Sequence, residues 1–168
     1  FEKDNTMTIV RDITDRKESE EKLRVNEQRM SIISSLTTDY LFATSIDESG
    51  NSKLDWIGGA FEKLTGYPIE EYIARGGWRS TIYPEDIQID DDAYIKLLKN
   101  EDVVSELRTF HKDGQIVWSR SYAHPLWDKE NQRLAGIVGA VKDITDERKN
   151  DLIKDIQYNI AQALVSNK

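Results

Sequence analysis

The chain has 168 residues, 38% of them hydrophobic, which fits one folded domain of ordinary size with its own core. Its formal charge of −8 argues against a nucleic-acid-binding surface, and the absence of cysteine excludes disulfides, thiolate nucleophiles, Cys-ligated zinc and a cysteinyl–chromophore bond. No apolar run approaches the roughly 18 residues that span a bilayer and no signal-peptide pattern opens the chain, so we expect a cytoplasmic protein without direct membrane contact.

The first 37 residues contain a strand-like run followed by a long charged helix. Residues 6–13 are rich in β-branched and apolar side chains, and Asp15 and Glu18 have the spacing of a capping box. Neither Pro nor Gly interrupts the following segment, which carries a thin apolar seam: Leu23, Met30, Ile33 and Leu36. We expect a connector helix over residues 15–37, either packed on its own domain by one stripe or paired in a coiled coil.

The next predicted elements are a β-hairpin and several short helices. Two strand-like runs flank the turn residues 47–51, and glycines with Pro68 divide residues 58–78 into short helical segments. Pro-Glu-Asp at 84–86 favours the start of a helix that continues to Leu98. The acids at 90–92 lack the glycine and distal glutamate of a calcium loop, so we interpret them as a solvated helix face and predict no metal site.

Three strands follow, over residues 103–111, 115–127 and 133–144, joined by two short turns. Together with the first hairpin they predict an α+β domain over residues 38–146, with a five-stranded antiparallel sheet and helices on one face. Residues 147–168 are expected to form an exit helix, because isoleucines recur there at a spacing of three to four: Ile153, Ile156 and Ile160.

Four short motifs occur in order between residues 60 and 145. They are AFEKLTGY at 60–67, YPED at 83–86, KDG at 112–114 followed by Trp118, and DIT at 143–145. Together they resemble the PAS domain family, the sensory modules of bacterial and archaeal signalling proteins, with DIT corresponding to the family's closing PAC motif. The resemblance implies a PAS fold flanked by signalling helices. Because VRDITD at 10–15 resembles VKDITD at 141–146, residues 1–14 are expected to end a preceding PAS domain.

The resemblance does not extend to two kinds of cofactor site. Haem-binding members place a histidine on the helix that here follows residue 86, whereas His111 and His124 fall on predicted strands. Members that form a flavin adduct need a cysteine, which is absent. We therefore predict no cofactor: haem and covalent flavin are disfavoured, and a small metabolite bound non-covalently remains open. Gly58 stands where the family often has a helix-capping Asn, so that helix start is expected to be weaker.

Strand alternation divides the side chains of the sheet between its two faces. By resemblance, the face with small residues on strand 115–127 looks toward the helices where PAS ligands bind. The space that it leaves is filled either by the protein's own side chains or by a ligand. The candidate pocket residues are Phe61, Tyr83, Tyr94, Leu98, Leu107, Thr109, Ser119, Ser121, Ala123, Ile137, Gly139 and Val141.

The opposite face of the same strand carries Trp118, Tyr122 and His124 beside Arg120. An amphipathic patch of this kind usually needs a cover. We expect the helix over residues 15–36, from the same or a partner chain, to lie across it, so that these residues form a dimer or helix-packing face and the protein is a homodimer.

These features favour a sensory and relay module of a multidomain signalling protein, with a histidine kinase of a two-component system as the expected parent. The partners are then neighbouring PAS and output domains of the same chain. A ligand-free dimerisation and spacing module, and the sensory domain of a cyclic-dinucleotide enzyme, are the alternatives. We expect no catalysis, since no nucleotide-binding glycine loop or nucleophile–base pair is evident. The predicted relay residues are Asp143 and Thr145, where Thr145 or Asp146 is placed to cap the exit helix.

Overall fold

The computed structural model describes residues 39–166. The strand and connector helix predicted before residue 38 lie outside the described residues. Strands β1 (Asp39–Ile46) and β2 (Ser52–Gly59) form the first hairpin, and helices α1 (Phe61–Thr65), α2 (Ile69–Ala74) and α3 (Ile87–Leu97) follow. Two 3₁₀ turns, Gly77–Thr81 and Pro84–Asp86, lie between α2 and α3. Strands β3 (Val103–Phe110), β4 (Ile116–Asp128) and β5 (Arg133–Asp143) lead to helix α4 (Thr145–Ser166).

The strands form one antiparallel sheet in the order β2-β1-β5-β4-β3, which confirms the predicted five-stranded α+β fold. The first hairpin closes through an Asx-type turn, in which the carboxylate of Asp47 accepts hydrogen bonds from the backbone N–H groups of Ser49 and Asn51. The central strand of the sheet is β5, the last in sequence, which pairs with β1 on one side and β4 on the other.

The helices bury one face of the sheet through two apolar clusters. One cluster packs β1 and β5 against α1 and α2: Tyr40, Phe61, Leu64, Tyr67, Tyr72 and Val141. The other packs the far ends of the strands against α3: Ile46, Leu97, Val103 and Leu134. Burial of this apolar surface fixes which face of each strand points inward.

The limits of the short helix α1 are set by the residues at its two ends. Ala60 is the N-cap residue of α1 and makes no side-chain capping bond, so that helix starts without a polar cap. It stops at Gly66, whose φ of 74° is in the left-handed region. A Cβ at Gly66 would also lie 2.5 Å from the Nε2 atom of His111, so the glycine meets two requirements at once.

Helix α4 has 22 residues and extends about 33 Å at 1.5 Å per residue. Its apolar side chains are largely exposed: Leu152, Ile153, Ile156, Ile160 and Leu164. Among the helices of residues 39–166, none has the length and apolar character needed to cross a membrane.

Candidate functional site

The inner face of the sheet brings most of the predicted pocket residues together. Six are buried, namely Phe61, Leu107, Thr109, Ser119, Ser121 and Val141. Tyr83, Ala123, Ile137 and Gly139 are partly buried. Their common location follows from strand alternation and from the antiparallel register, in which Leu107 is paired with Ser119 and Ser121 with Val141. Whether they bind a ligand stays a prediction.

The buried hydroxyl groups of Thr109 and Ser119 are hydrogen-bonded to protein atoms. The hydroxyls of Thr109 and Ser119 lie 3.1 Å apart, and either can donate to the other. Thr109 Oγ1 also lies 3.4 Å from the carbonyl oxygen of Val117, to which it can donate instead. Buried hydroxyls need such partners, and here each has one without a ligand.

Aromatic rings occupy much of the space next to these hydroxyls. Phe61 makes edge-to-face contacts with Tyr40 at 5.2 Å and with Tyr72 at 4.9 Å between ring centroids. Burial raises the pKa of both tyrosines, so their phenols stay neutral at physiological pH. A Cβ on Gly139 would lie 2.8 Å from the ring of Phe42, so that ring fills the space that the glycine leaves. Tyr40 and Phe42 are two residues apart on a predicted strand, and this alternation would have identified Phe42 as a residue of the interior.

Two predicted pocket residues point away from the interior. Tyr94 is 38% exposed and Leu98 is 48% exposed, whereas Leu97 is buried and Ala93 packs beside it. The placement of Tyr94 and Leu98 in the interior is therefore wrong. Positions 93 and 97 share one side of a helix with a period of 3.6 residues, and positions 94 and 98 lie about 100° around it.

The acidic face of α3 is also less solvated than predicted. Asp90 is partly buried, and one of its carboxylate oxygens accepts a hydrogen bond from the indole N–H of Trp78 at 2.8 Å. The other oxygen lies 3.4 Å from Arg79, which also binds Asp91. Burial raises the pKa of Asp90, and the bond from Trp78 opposes that effect. Of the three acids, Asp92 alone is exposed.

The outer face of the sheet has an open cleft of about 420 Å³. Tyr122 and His124 border it, and Val104 next to Tyr122 is 62% exposed. That a helix or a second chain packs on these residues stays a prediction. His124 Nδ1 lies 2.6 Å from a carboxylate oxygen of Asp102 at the same rim. Trp118 is not among the cleft residues, since its ring is contacted by the guanidinium groups of Arg108 and Arg148.

Hydrogen bonds from two strands, β4 and β5, stabilise the junction between β5 and α4. The Asp143 carboxylate accepts a hydrogen bond from the N–H of Thr145 at 2.8 Å, at the start of the helix. Ile144 is buried, and its N–H donates to the carbonyl of Trp118 on β4 at 2.8 Å. The hydroxyl of Thr145 accepts from the N–H of Trp118 at 3.0 Å. The strand ladder of β4 thus continues into the first helical residue.

These contacts correct the predicted cap. Thr145 is the first helical residue, and its hydroxyl oxygen accepts from β4, so it does not cap α4. The side chain of Asp146 is 94% exposed, with a surface ion pair to Lys149. Asp143 is the residue whose carboxylate satisfies a first-turn amide. A capping oxygen must precede the helix, and the strand end, not the helix, supplies it.

Ion pairs that sequence reasoning missed surround this junction. Glu106 on β3 binds Arg120 at 2.7 Å and also binds Arg148 of α4. Glu147 binds Lys142 at 2.5 Å and Arg120 at 3.3 Å. Arg120 lowers the pKa of Glu106 and Lys142 lowers that of Glu147, so both acids are charged at neutral pH. The register of the sheet brings Glu106 and Arg120 together beside α4, which is why sequence spacing did not indicate their pairs.

Comparison with protein families bears on both the interior and the junction. A family profile described as PAS fold matches residues 55–141, just over half of the chain. The chain belongs to the PAS fold family. The match runs from β2 to β5 and so spans the helices and most of the sheet.

Solved structures with this fold come from several signalling proteins. The N-terminal domain of a diguanylate cyclase with a PAS/PAC sensor from Marinobacter aquaeolei is 22% identical, has a TM-score of 0.56, and is aligned over 66% of this chain and 98% of that one. A sensory box histidine kinase/response regulator from Burkholderia thailandensis E264 is 21% identical, with a TM-score of 0.57 and coverage of 80% and 98%.

A light-oxygen-voltage domain studied with a flavin analogue is 16% identical, with a TM-score of 0.51 and coverage of 72% and 88%. At these identities the structural likeness shows the fold alone. No curated protein matches the chain.

Proposed function

We propose that this PAS domain is a sensory and relay module that passes a conformational bias to helix α4 through the β5–α4 junction. The observation that carries this proposal is the bonding of Asp143, Ile144 and Thr145. These three consecutive residues end β5, bind β4 and begin α4. A small shift between β4 and β5 must change these bonds, and α4 starts where they end.

The proposed parent is a sensor histidine kinase acting in the cytoplasm, with neighbouring PAS and output domains as partners in the same chain. Similar folds occur both in a histidine kinase and in a diguanylate cyclase, so the cyclase output is the alternative. The relay does not depend on which output follows, because the junction precedes it.

The test of the relay uses the full parent protein and its own output. Asp143→Ala removes the carboxylate that binds the N–H of Thr145, at a cost of about 1 kcal/mol for a lost capping contact. That amount shifts a poised two-state element several-fold. We expect altered output with an unchanged fold, and Asp143→Asn, which keeps an acceptor oxygen, to behave closer to wild type. Output and signal response equal to wild type in both Asp143→Ala and Thr145→Ala would refute the relay.

A ligand-free spacing module is the second candidate function. The packing of Phe42 over Gly139 and the paired hydroxyls of Thr109 and Ser119 favour it, because they leave little unfilled space. Native mass spectrometry of protein purified from cells separates the two. A bound small metabolite, including a non-covalent flavin such as the related light-oxygen-voltage domain suggests, supports a sensor. A bare chain mass under conditions that retain flavin in a control flavoprotein favours the spacer.

We also propose that the protein is a homodimer and that its outer sheet face is covered. The exposed side chains of Val104 and Tyr122 border a cleft that water alone would solvate poorly. Residues 15–36, from the same chain or from the partner, are the proposed cover, because the apolar seam that their sequence predicts is the counterpart that such a face requires. Deleting residues 1–36 should then expose the cleft and raise binding of a hydrophobic dye; unchanged dye binding would contradict the cover.

A further inference from the structure

Four side chains form a continuous series of alternating rings and guanidinium groups at the β3 edge of the sheet. The Arg108 Cζ atom lies 4.2 Å from the centroid of the Tyr83 ring and 5.8 Å from that of Trp118. The Arg148 Cζ atom lies 4.8 Å from the centroid of the Trp118 ring. This ring–guanidinium series of Tyr83, Arg108, Trp118 and Arg148 begins just before α3 and ends in the first turn of α4.

The first end of the series is fixed to the start of α3. Asp86, the buried residue before α3, accepts hydrogen bonds from the Nε atom of Arg108 at 2.9 Å and from its backbone N–H at 2.7 Å. Glu85 binds the same guanidinium at 3.2 Å. The N–H of Tyr83 donates to the carbonyl of Arg108 at 2.8 Å. The Arg108 head group therefore moves with the segment that begins α3.

The second end is fixed to the start of α4. Arg148 binds Glu106 on β3, and its own N–H donates to the carbonyl of Ile144 at 2.9 Å. Trp118 stands between the two ends. It is paired in register with Arg108, and its backbone binds both Ile144 and Thr145. Its ring contacts one guanidinium from each end of the series.

Repulsion between the guanidinium groups of Arg108 and Arg148 does not oppose this arrangement. Arg108 is neutralised by Asp86 and Glu85, and Arg148 by Glu106, so two cations can share one ring. An arginine stacks its planar guanidinium on a ring, whereas a lysine keeps the charge and loses the stacking geometry. The arrangement thus depends on residue type as well as on charge.

We infer that Arg108 and Trp118 are positioning residues that couple the start of α3 to the first turn of α4 around the β3 edge. This inference rests on the proposed relay and adds to it a second path. Movement of α3 reaches α4 by this path without passing through the residues of the sheet interior.

The test measures amide hydrogen exchange at residues 148–150, whose N–H groups follow the free amides at the start of α4, in the complete chain. Arg108→Lys keeps a charge beside Asp86 but removes the stacking and the two-point contact of the guanidinium with that carboxylate. We expect exchange there to become about two- to fivefold faster, the factor that corresponds to one exposed cation–π contact. Arg79→Lys is the control, since Arg79 binds Asp90 and Asp91 on α3 but is not part of the series. Both variants are measured under conditions in which the amide of Val141 in β5 exchanges much more slowly than residues 148–150, so that global unfolding, which the lost bonds to Asp86 promote, does not contribute.

Equal exchange at residues 148–150 in Arg108→Lys and Arg79→Lys would overturn the inference. A second measurement combines Arg108→Lys with Arg148→Lys. One shared path predicts that the double variant exchanges no faster than the more affected single variant, whereas multiplied effects would show two independent contacts and overturn the path. Because no output is measured, failure here removes the β3-edge path alone and leaves the relay through Asp143 to its own test.

Discussion

The hydroxyl of Thr145 accepts a hydrogen bond from the backbone N–H of Trp118, 3.0 Å away, so the first residue of α4 is bonded to the neighbouring strand β4. Here the helix and the strand share a bond whose partners are 27 positions apart. A change in the position of β4 therefore acts directly on the first residue of α4.

Replacing Thr145 with Val tests that bond at nearly constant shape. The methyl group cannot accept, so the partly buried N–H of Trp118 loses its partner, and we expect a loss of about 1 kcal/mol in the free energy of unfolding. Urea denaturation measures the loss, and hydrogen exchange at the Trp118 amide locates it. Thr145→Ser is the matched control, since it keeps the hydroxyl. Equal stability of the Val and Ser variants would show that the bond contributes nothing.

The sheet could be predicted from the sequence because its signals are local. Alternating apolar residues and turn residues placed β3, β4 and β5 within one residue of their observed ends. The junction residues Asp143 and Thr145 lie where they were predicted, and their relay role stays a prediction, but the cap assigned to Thr145 or Asp146 is supplied by Asp143. Thr145 had the residue type of a cap, but its hydroxyl is used by a strand that is distant in sequence.

The rest of the site depends on contacts between distant residues. Phe42 fills the space beside Gly139, and Asp86 binds Arg108, 22 positions further on. Neither pair has a spacing rule that a sequence would reveal. The prediction of which side of α3 faces the interior was wrong for a related reason. Apolar residues lie on both sides of this helix, and packing against Val103 and Leu134 buries Leu97.

Gly66 and Gly50 form a matched pair for a stability prediction. Both have positive φ, 74° and 81°, so an alanine is strained at either position. A Cβ at Gly66 would lie 2.5 Å from His111 Nε2, whereas nothing lies within 4 Å of one at Gly50. We expect Gly50→Ala to cost about 1 kcal/mol of unfolding free energy, and Gly66→Ala to cost more by the work of moving the His111 ring. Chemical denaturation of both variants measures the difference, and equal losses would contradict the crowding at His111.

Two aspartates near the start of α3 predict opposite pH dependences. Hydrogen bonds from Arg108 lower the pKa of Asp86 below the ordinary value of 3.8, so its contribution is complete above that pH and is lost as the pH falls through the lowered pKa. Burial raises the pKa of Asp90, so its contribution decreases as the pH rises from 3.8 through the raised pKa.

Unfolding free energies between pH 2 and pH 6 in Asp86→Asn and Asp90→Asn check these signs (roughly the range over which carboxylates titrate). Relative to wild type, Asp86→Asn should be most destabilised at the upper end of the range and least at the lower end. Asp90→Asn should show the reverse trend, since its amide oxygen can still accept from Trp78. Parallel pH profiles for the two variants would contradict the assigned environments.

The exposed stripe of α4 predicts association between two copies of the chain. Ile153, Ile156 and Ile160 follow the three-and-four spacing of a coiled-coil seam, and Ile156 is 49% exposed. Most of the stability of a helix in a protein comes from packing of its apolar face, and pairing would bury the stripe. If the stripe is the contact, Ile156→Glu should raise the dimer dissociation constant at least tenfold, because a charge would enter the seam of both helices. Sedimentation equilibrium over a range of concentrations measures that change.

Tyr158→Glu serves as the control, since Tyr158 is 64% exposed but lies about 200° around the helix from Ile156. A dimer weakened equally by both substitutions would point to a general effect of charge on α4, and an undisturbed dimer in Ile156→Glu would place the contact elsewhere, on the sheet face beside Tyr122.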